Sequence, residues 1–208
     1  MAVSILLVCV LSYLLGNING AILLSRLVEK DDVRHHGSGN AGFTNFFRSY
    51  GKGTSLLVIA IDALKAAVAC LLGNWLLGKW GLRTEGMLLG GLFASLGHDF
   101  PAFLGFRGGK GIVCGFATAL VTDWRVGLIL FGVFALVYLL THYVSLASAL
   151  CAVSFFVCFL LLYPGHAAVA LLALVQAALA IFLHRENISR LIRGQERKTD
   201  FFKRGEKK

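Results

Sequence analysis

Apolar residues run in six long blocks along this chain of 208 residues, over roughly 2–24, 54–78, 86–106, 126–140, 144–163 and 167–183, with polar, glycine-rich or basic stretches between them. Most of these blocks approach the ~20 residues that a helix needs to cross a ~30 Å hydrocarbon core. A seventh block, 111–122, is apolar but short. A short helix can still span if it tilts or sits inside a bundle, so the pattern predicts an all-α integral membrane protein of about seven transmembrane helices, with six as the fallback. An odd count puts the two termini on opposite sides.

Composition agrees with this. Hydrophobic residues make up 57% of the chain and charged residues 15%, against about 45–50% and 25% in soluble domains. With two prolines and no linker-like stretch, residues 1–208 read as a single polytopic domain. The segment 198–208 reads as a basic cytoplasmic tail that need not be ordered. The net charge of +9 would suggest nucleic acid in a soluble chain, but the cations are sorted by loop. Sixteen of the twenty Lys and Arg lie between the first two spans, around Arg107 and Lys110, or after the last span. The positive-inside rule then predicts an outer N-terminus and a cytoplasmic C-terminus, and nucleic-acid binding loses its support. The apolar N-terminus lacks a basic n-region and is too long for a signal-peptide core, so it reads as the first span. Cys9, Cys70, Cys114, Cys151 and Cys158 all lie inside apolar blocks with no C-x-x-C pair, and read as packing residues.

Three polar clusters share the cytoplasmic side. The first, HHGSGNAGFTNFFRSYGKG over 35–53, sets Ser38, Gly39, Asn40, Gly42, Thr44, Asn45 and Arg48 in a glycine-rich frame that can turn backbone N–H groups onto an anion. The alternative is a flexible connector. In the second, GHDFPAFLGFRGGKG over 97–111, Gly108, Gly109, Lys110 and Gly111 open the next span. Backbone donors, a helix N-terminus and one ammonium would converge there on a phosphate, the alternative being a snorkelling basic pair. The third, HRENISRLIRGQE over 184–196, can place His184, Asn187, Arg190 and Arg193 on one helical face, or lie as an interfacial helix on anionic lipid. Within the membrane, Asp62 and Lys65 can pair at i, i+3 and support the first loop. Ser145 and Ser148, beside His142, either bond backbone or reach a ligand. His98 and Asp99 are adjacent and point apart, so they read as no catalytic dyad, and no carboxylate cluster suggests a metal.

Gly37-Ser38-Gly39-Asn40 with Gly42, Thr44, Asn45, Arg48 and Gly51, then Gly97-His98, Phe100-Pro101 and Gly108–Gly111, then Asn187, Arg190, Gly194 and Glu196, resemble the PlsY family of bacterial membrane acyltransferases. The resemblance extends over nearly the whole chain, including Asp62-x-x-Lys65. It departs at Gly16-Asn17-Ile18-Asn19, where the family has Gly-Ser-Ile-Pro, and at His142, where the family commonly has Arg. The resemblance implies transfer of an acyl group from acyl-phosphate to the first position of glycerol 3-phosphate, giving lysophosphatidic acid and phosphate. It also implies a bacterial inner-membrane location, with the site facing the cytoplasm.

By the same resemblance Ser38, Arg48, Lys110, His184 and Asn187 are catalytic. It also implies that the glycines of the second cluster bind substrate phosphate; from the residues themselves, Gly39, Asn40, Gly42, Thr44, Asn45, Ser145 and Ser148 are further candidates for that phosphate, and Asp62, Lys65 and Glu196 are read as structural support. No cofactor or metal is expected. The expected partners are the two substrates and membrane lipid, with the enzyme working as a monomer that could touch the acyl-phosphate-producing enzyme transiently. No His-x-x-x-x-Asp pairing, nucleophile elbow or Cys–His pair is present, so direct transfer fits better than a covalent acyl-enzyme. For the proton acceptor, His184 and a substrate phosphate oxygen are the candidates, and the phosphate is favoured. The rival class, a transporter of an organic phosphate, would need polar residues continuing across the bilayer, and the outer connections are short and ligand-poor.

Overall fold

The computed structural model describes residues 1–201, and every regular element among them is helical. In chain order these are α1 (Ala2–Gly16), α2 (Gly20–Leu27), α3 (Phe43–Tyr50), α4 (Ser55–Leu77), α5 (Arg83–Asp99), α6 (Ile112–Thr122), α7 (Trp124–Thr141), α8 (Val144–Leu162), α9 (Ala167–Leu183) and α10 (Arg185–Ile192). Five stretches are long and apolar enough to cross a bilayer: 2–27, 55–80, 83–104, 124–141 and 144–162. α9 makes a sixth when taken with α10, which leaves it at a bend of 57°.

The seventh expected span is helical but has only eleven residues, about 16 Å at 1.5 Å per residue. It is too short to cross alone. The loop before it folds inward, so that Gly111 lies beside Ser95 and Asp99 of α5. α6 is flanked by α4, α5 and α7 rather than standing alone in lipid. Seven helical segments nevertheless alternate in direction between the two ends of the bundle. At one end Tyr13 Oη donates to the Phe100 carbonyl (2.7 Å). At the other, Tyr163 Oη donates to Asp123 Oδ2 (3.1 Å), and His166 lies 3.8 Å from Glu85. The N-terminus starts at this second end and the C-terminal residues lie at the first.

The first apolar block is interrupted between Gly16 and Gly20. A break inside a bilayer frees backbone groups that lipid cannot solvate, so each needs a protein partner. Lys65 Nζ donates to the carbonyls of Gly16 (3.1 Å) and Ile18 (2.7 Å), and Asp62 Oδ1 accepts the Gly20 N–H (3.1 Å). The two side chains are themselves paired at 2.8 Å and buried. Asn19 caps α2 by accepting the Ile22 N–H (3.0 Å), and Asn17 accepts the Phe103 N–H (3.2 Å). Two asparagines therefore hold the kink where the family pattern has Ser and Pro.

α1, α4 and α5 approach closely because small residues line their contacts. Gly16 abuts the Ala94 carbonyl, Gly73 abuts Gly86, and Gly90 abuts the Ala69 carbonyl. α5 is the most enclosed of the spanning helices. Around the flank Trp75, Phe103, Leu140 and Leu161 are 70% exposed or more, an apolar surface that only lipid would cover. Of the tail expected over 198–208, residues 202–208 lie outside the described residues. Residues 198–201 begin it packed against α7. Thr199 is buried, its N–H donating to the His142 carbonyl (3.0 Å) and its carbonyl accepting from Tyr138 Oη (3.1 Å).

Candidate active site

The first glycine-rich loop is shaped by Asn45, whose polar atoms all bond the loop's own backbone. Its Oδ1 accepts the Ser38 N–H (3.0 Å), and its Nδ2 donates to the carbonyls of Val33 (3.1 Å) and His36 (3.0 Å). Asn45 was expected to bind phosphate. Its amide bonds backbone and holds the loop, and the residue also stands in the cavity wall. Gly37 and Gly39 take positive φ (58° and 70°), the left-handed turn that lets Ser38 and Asn40 stand at the rim. Phe46, Val33, Ala41 and Ile22 pack beneath as an apolar anchor. Arg34 ties the loop across to the second one, donating to the Leu104 carbonyl (2.7 Å) while paired with Asp32 at 2.8 Å. The Arg34 guanidinium, bonded to Asp32, holds that carboxyl well below the usual carboxylate range.

The second loop departs from expectation in one respect. The N–H groups of Gly108 and Gly109 do not face an anion: they donate to the Asp99 (3.1 Å) and His98 (3.0 Å) carbonyls, closing the end of α5. The glycines are needed because the loop lies directly on that helix end. A β-carbon at Gly108 would overlap the His98 carbonyl, and one at Gly109 the His98 ring. The free donors belong instead to the start of α6. Its first helical bond runs from the Gly115 N–H to the Gly111 carbonyl (2.7 Å), which leaves the N–H groups of 112–114 without intrahelical partners. The Ala41 N–H donates to the Gly108 carbonyl (3.2 Å), binding the two loops together.

The third cluster closes the ring. Lys110 Nζ donates to Asn187 Oδ1, Asn187 Nδ2 donates to Glu196 Oε1 (2.7 Å), and Arg190 Nε donates to Glu196 Oε2 (2.7 Å). Glu196 thus orients two side chains of α10. Arg48 Nη2 donates to the Arg197 carbonyl (3.0 Å) and to Thr199 Oγ1, and Phe201 stacks on Phe43, Phe47 and Tyr138. The segment after α10 is thereby strapped between α3 and α7. His184 is buried at the α9–α10 bend, with its Nδ1 2.8 Å from the Ala180 carbonyl. The proton therefore sits on Nδ1 and Nε2 carries the lone pair. Burial pushes its pKa down to about 4.

All of these line one cavity of about 840 Å³. Ser38, Gly39, Asn40, Gly42, Thr44, Arg48, Gly108–Gly111, Ser145, Ser148, His184, Asn187 and Glu196 are on its wall; so is Asp62, whereas Lys65 supports it from behind, and His142 is not on it. The N-termini of α3 and α6 open into it, with Lys110, Arg48 and Arg190 alongside, so partial and full positive charges meet in one place. Burial holds the Lys110 ammonium below its ordinary pKa, the mark of a cation partly stripped of water. The other wall is apolar, with Ile59, Phe116, Phe131, Phe134 and Leu183. A separate small apolar cavity between α6, α7, α8 and α9 borders it, with Gly111, Ile112, Phe116 and Phe134 in both walls.

The sequence reading missed His98, which lies in the same wall. Its Nδ1 is 2.8 Å from Lys65 Nζ and 3.3 Å from Asn19 Nδ2. Only the Gly-His–Phe-Pro portion of the motif match could have flagged it, because its partners are 33 and 79 residues away.

A helical membrane bundle with a polar, cationic cavity beside an apolar one is of the class suited to amphiphilic anions at the bilayer. The sequence profile of the glycerol-3-phosphate acyltransferase family matches residues 6–194. Glycerol-3-phosphate acyltransferases of Thermoanaerobacter pseudethanolicus and Rhodospirillum rubrum are 38% and 41% identical over 192 and 203 residues; these cover 92% and 94% of this chain and 94% and 92% of theirs. The crystal structure of PlsY, an integral membrane glycerol 3-phosphate acyltransferase, superposes in its glycerol 3-phosphate form with a TM-score of 0.84 at 35% identity, covering 95% of this chain and 96% of that one. Its lysophosphatidic acid form gives 0.81 at 34% identity over the same shares. The chain belongs to the glycerol-3-phosphate acyltransferase family of the PlsY type, and is an acyltransferase of the membrane.

Proposed function

We propose that this protein transfers the acyl group of acyl-phosphate to the 1-hydroxyl of glycerol 3-phosphate, giving 1-acyl-glycerol 3-phosphate (lysophosphatidic acid) and inorganic phosphate. This is the first committed step of bacterial phospholipid synthesis. The observation that carries it is the shared cavity: two helix N-termini with Lys110, Arg48 and Arg190 among its cations on one side, and an apolar wall on the other. Two phosphates and one acyl chain need that combination. The glycerol 3-phosphate and lysophosphatidic acid forms of the solved relative support the same substrate and product.

In the step itself the glycerol oxygen attacks the acyl carbonyl carbon. The carbon–oxygen bond to phosphate breaks, and phosphate leaves with the electron pair. The hydroxyl proton passes to a phosphate oxygen. The mixed anhydride is already activated, so the protein chiefly positions two anions and offsets their repulsion. Lys110 and the start of α6 hold the glycerol 3-phosphate phosphate, Arg48 and the Ser38 loop hold the acyl-phosphate, and Asn187 and His184 hold the attacking hydroxyl. The cytoplasmic loops carry the site, with the N-terminus outside the inner membrane, a reading supported by the sorting of basic residues.

The test offers purified protein acyl-phosphate, acyl-CoA and acyl carrier protein in parallel with glycerol 3-phosphate. Turnover is expected with acyl-phosphate alone, and lost in folded Lys110→Ala, Arg48→Ala and His184→Ala. Preference for another donor, or near-normal turnover in all three variants, sinks the reading.

A further inference from the structure

Two histidines reach the cavity from opposite sides, and hydrogen-bond geometry assigns their protons differently. At His98, Nδ1 faces two groups that can only donate. Lys65 Nζ, 2.8 Å away, is an ammonium with no lone pair. Asn19 is fixed in orientation, because its Oδ1 accepts the Ile22 N–H while its Nδ2 donates to the Ala41 carbonyl (3.0 Å); the same Nδ2 faces His98 Nδ1 at 3.3 Å. Asp62 Oδ1 lies 3.4 Å from Nδ1 but already accepts from Lys65 and the Gly20 N–H. Lys65 Nζ shares three hydrogens among four acceptors, the Gly16 and Ile18 carbonyls, Asp62 Oδ1 and His98 Nδ1, and Asn19 Nδ2 is also turned to Nδ1; this assigns the lone pair to Nδ1 and the ring proton to Nε2.

That N–H is left for something else. His98 is only 4% exposed, yet it lines the large cavity, and among the described residues its Nε2 makes no hydrogen bond. Gly109 packs against the ring, where a β-carbon would overlap it. The start of α6 and Lys110 follow immediately in the same wall. A donor that opens on the cavity is available to a bound ligand, and a hydrogen bond to a charged group is among the stronger ones. We propose that His98 supplies a neutral imidazole N–H to a phosphate oxygen of bound substrate, with Asn19 and Lys65 as positioning residues that hold its tautomer. The proposal rests on the reading that phosphate-bearing substrates occupy this cavity. His184 is its complement: its proton is turned to the Ala180 carbonyl, and it offers a lone pair where His98 offers a hydrogen.

The test is nitrogen-15 NMR of ring-labelled histidine in the full-length protein in lipid nanodiscs, with the His98 signal identified by its loss in His98→Gln. The ligand-free protein should show the Nε2–H tautomer, and that nitrogen should shift on adding glycerol 3-phosphate or a non-hydrolysable acyl phosphonate, separately. Whichever compound moves it identifies the phosphate it meets. An Nδ1–H tautomer, an imidazolium, or an Nε2 signal unmoved by both compounds overturns the proposal. In turnover, His98→Ala should lower kcat/KM roughly 10- to 100-fold, the range of one hydrogen bond to a charged group. The loss should fall mainly in KM for the compound that moved the signal. His98→Gln, which keeps an N–H at similar reach, should recover most of it. Wild-type kinetics in folded His98→Ala would overturn this proposal alone. Absence of wild-type turnover with acyl-phosphate would instead remove the proposed function.

Discussion

At the scale of single residues, the cavity separates side chains that face a ligand from those that build the frame. Asn45 belongs to the frame, since it satisfies three backbone groups of the first loop. Asn45→Ala leaves the Ser38 N–H and two carbonyls without these partners, at about 1–3 kcal/mol for each group that stays buried. We expect it to abolish turnover and to raise protease cleavage within 33–45, and uncleaved, active protein would refute this. The proton acceptor has its own signature. Burial pushes the His184 pKa down to about 4, which favours the neutral ring across the working range, whereas a phosphate ester loses its second proton near pH 6. If substrate phosphate takes the proton, the rate falls as pH drops through about 6, where the dianion is lost, and residual activity of His184→Gln keeps that limb. A limb near 4 that vanishes in His184→Gln would make the histidine the base.

At the scale of elements, the interrupted first span depends on a buried ion pair that stands in for helix hydrogen bonds. Lys65 and Asp62 supply what Gly16, Ile18 and Gly20 lost at the break. Lys65→Met removes the donor and leaves Asp62 buried without its main counter-charge, a loss of about 3–5 kcal/mol. Thermal unfolding in detergent should show it, and the double variant Lys65→Met/Asp62→Asn should be less destabilised than Lys65→Met. A wild-type midpoint for Lys65→Met would contradict this account. The shortness of α6 has a geometric consequence: its start lies beside Lys110 in the cavity wall, with the N–H groups of 112–114 outside the helix's own bonding.

At the scale of the molecule, two cavities that share Gly111 and Ile112 in their walls set a polar chamber beside an apolar one. A β-carbon at Gly115 would meet only Gln176 Nε2, at 3.4 Å, so a small side chain fits there and projects toward the apolar cavity. Gly115→Val should lower kcat/KM for long-chain acyl-phosphate more than for medium-chain donors. Equal effects on both would show that the chain lies elsewhere. The strap over 196–201 closes the same end, joining α3 to α7 through Arg48, Thr199 and Tyr138.

The sequence alone determined the membrane-spanning blocks, the sorting of cations and the three motifs, because hydrophobic length, charge and glycine content are local properties of a chain. The tertiary structure decided how donors are spent. The N–H groups of Gly108 and Gly109 close α5, Asn45 is absorbed by its own loop, and His98 comes under the control of residues 33 and 79 positions away. A polar group's role depends on which partner reaches it first, and in a bundle that partner comes from another helix.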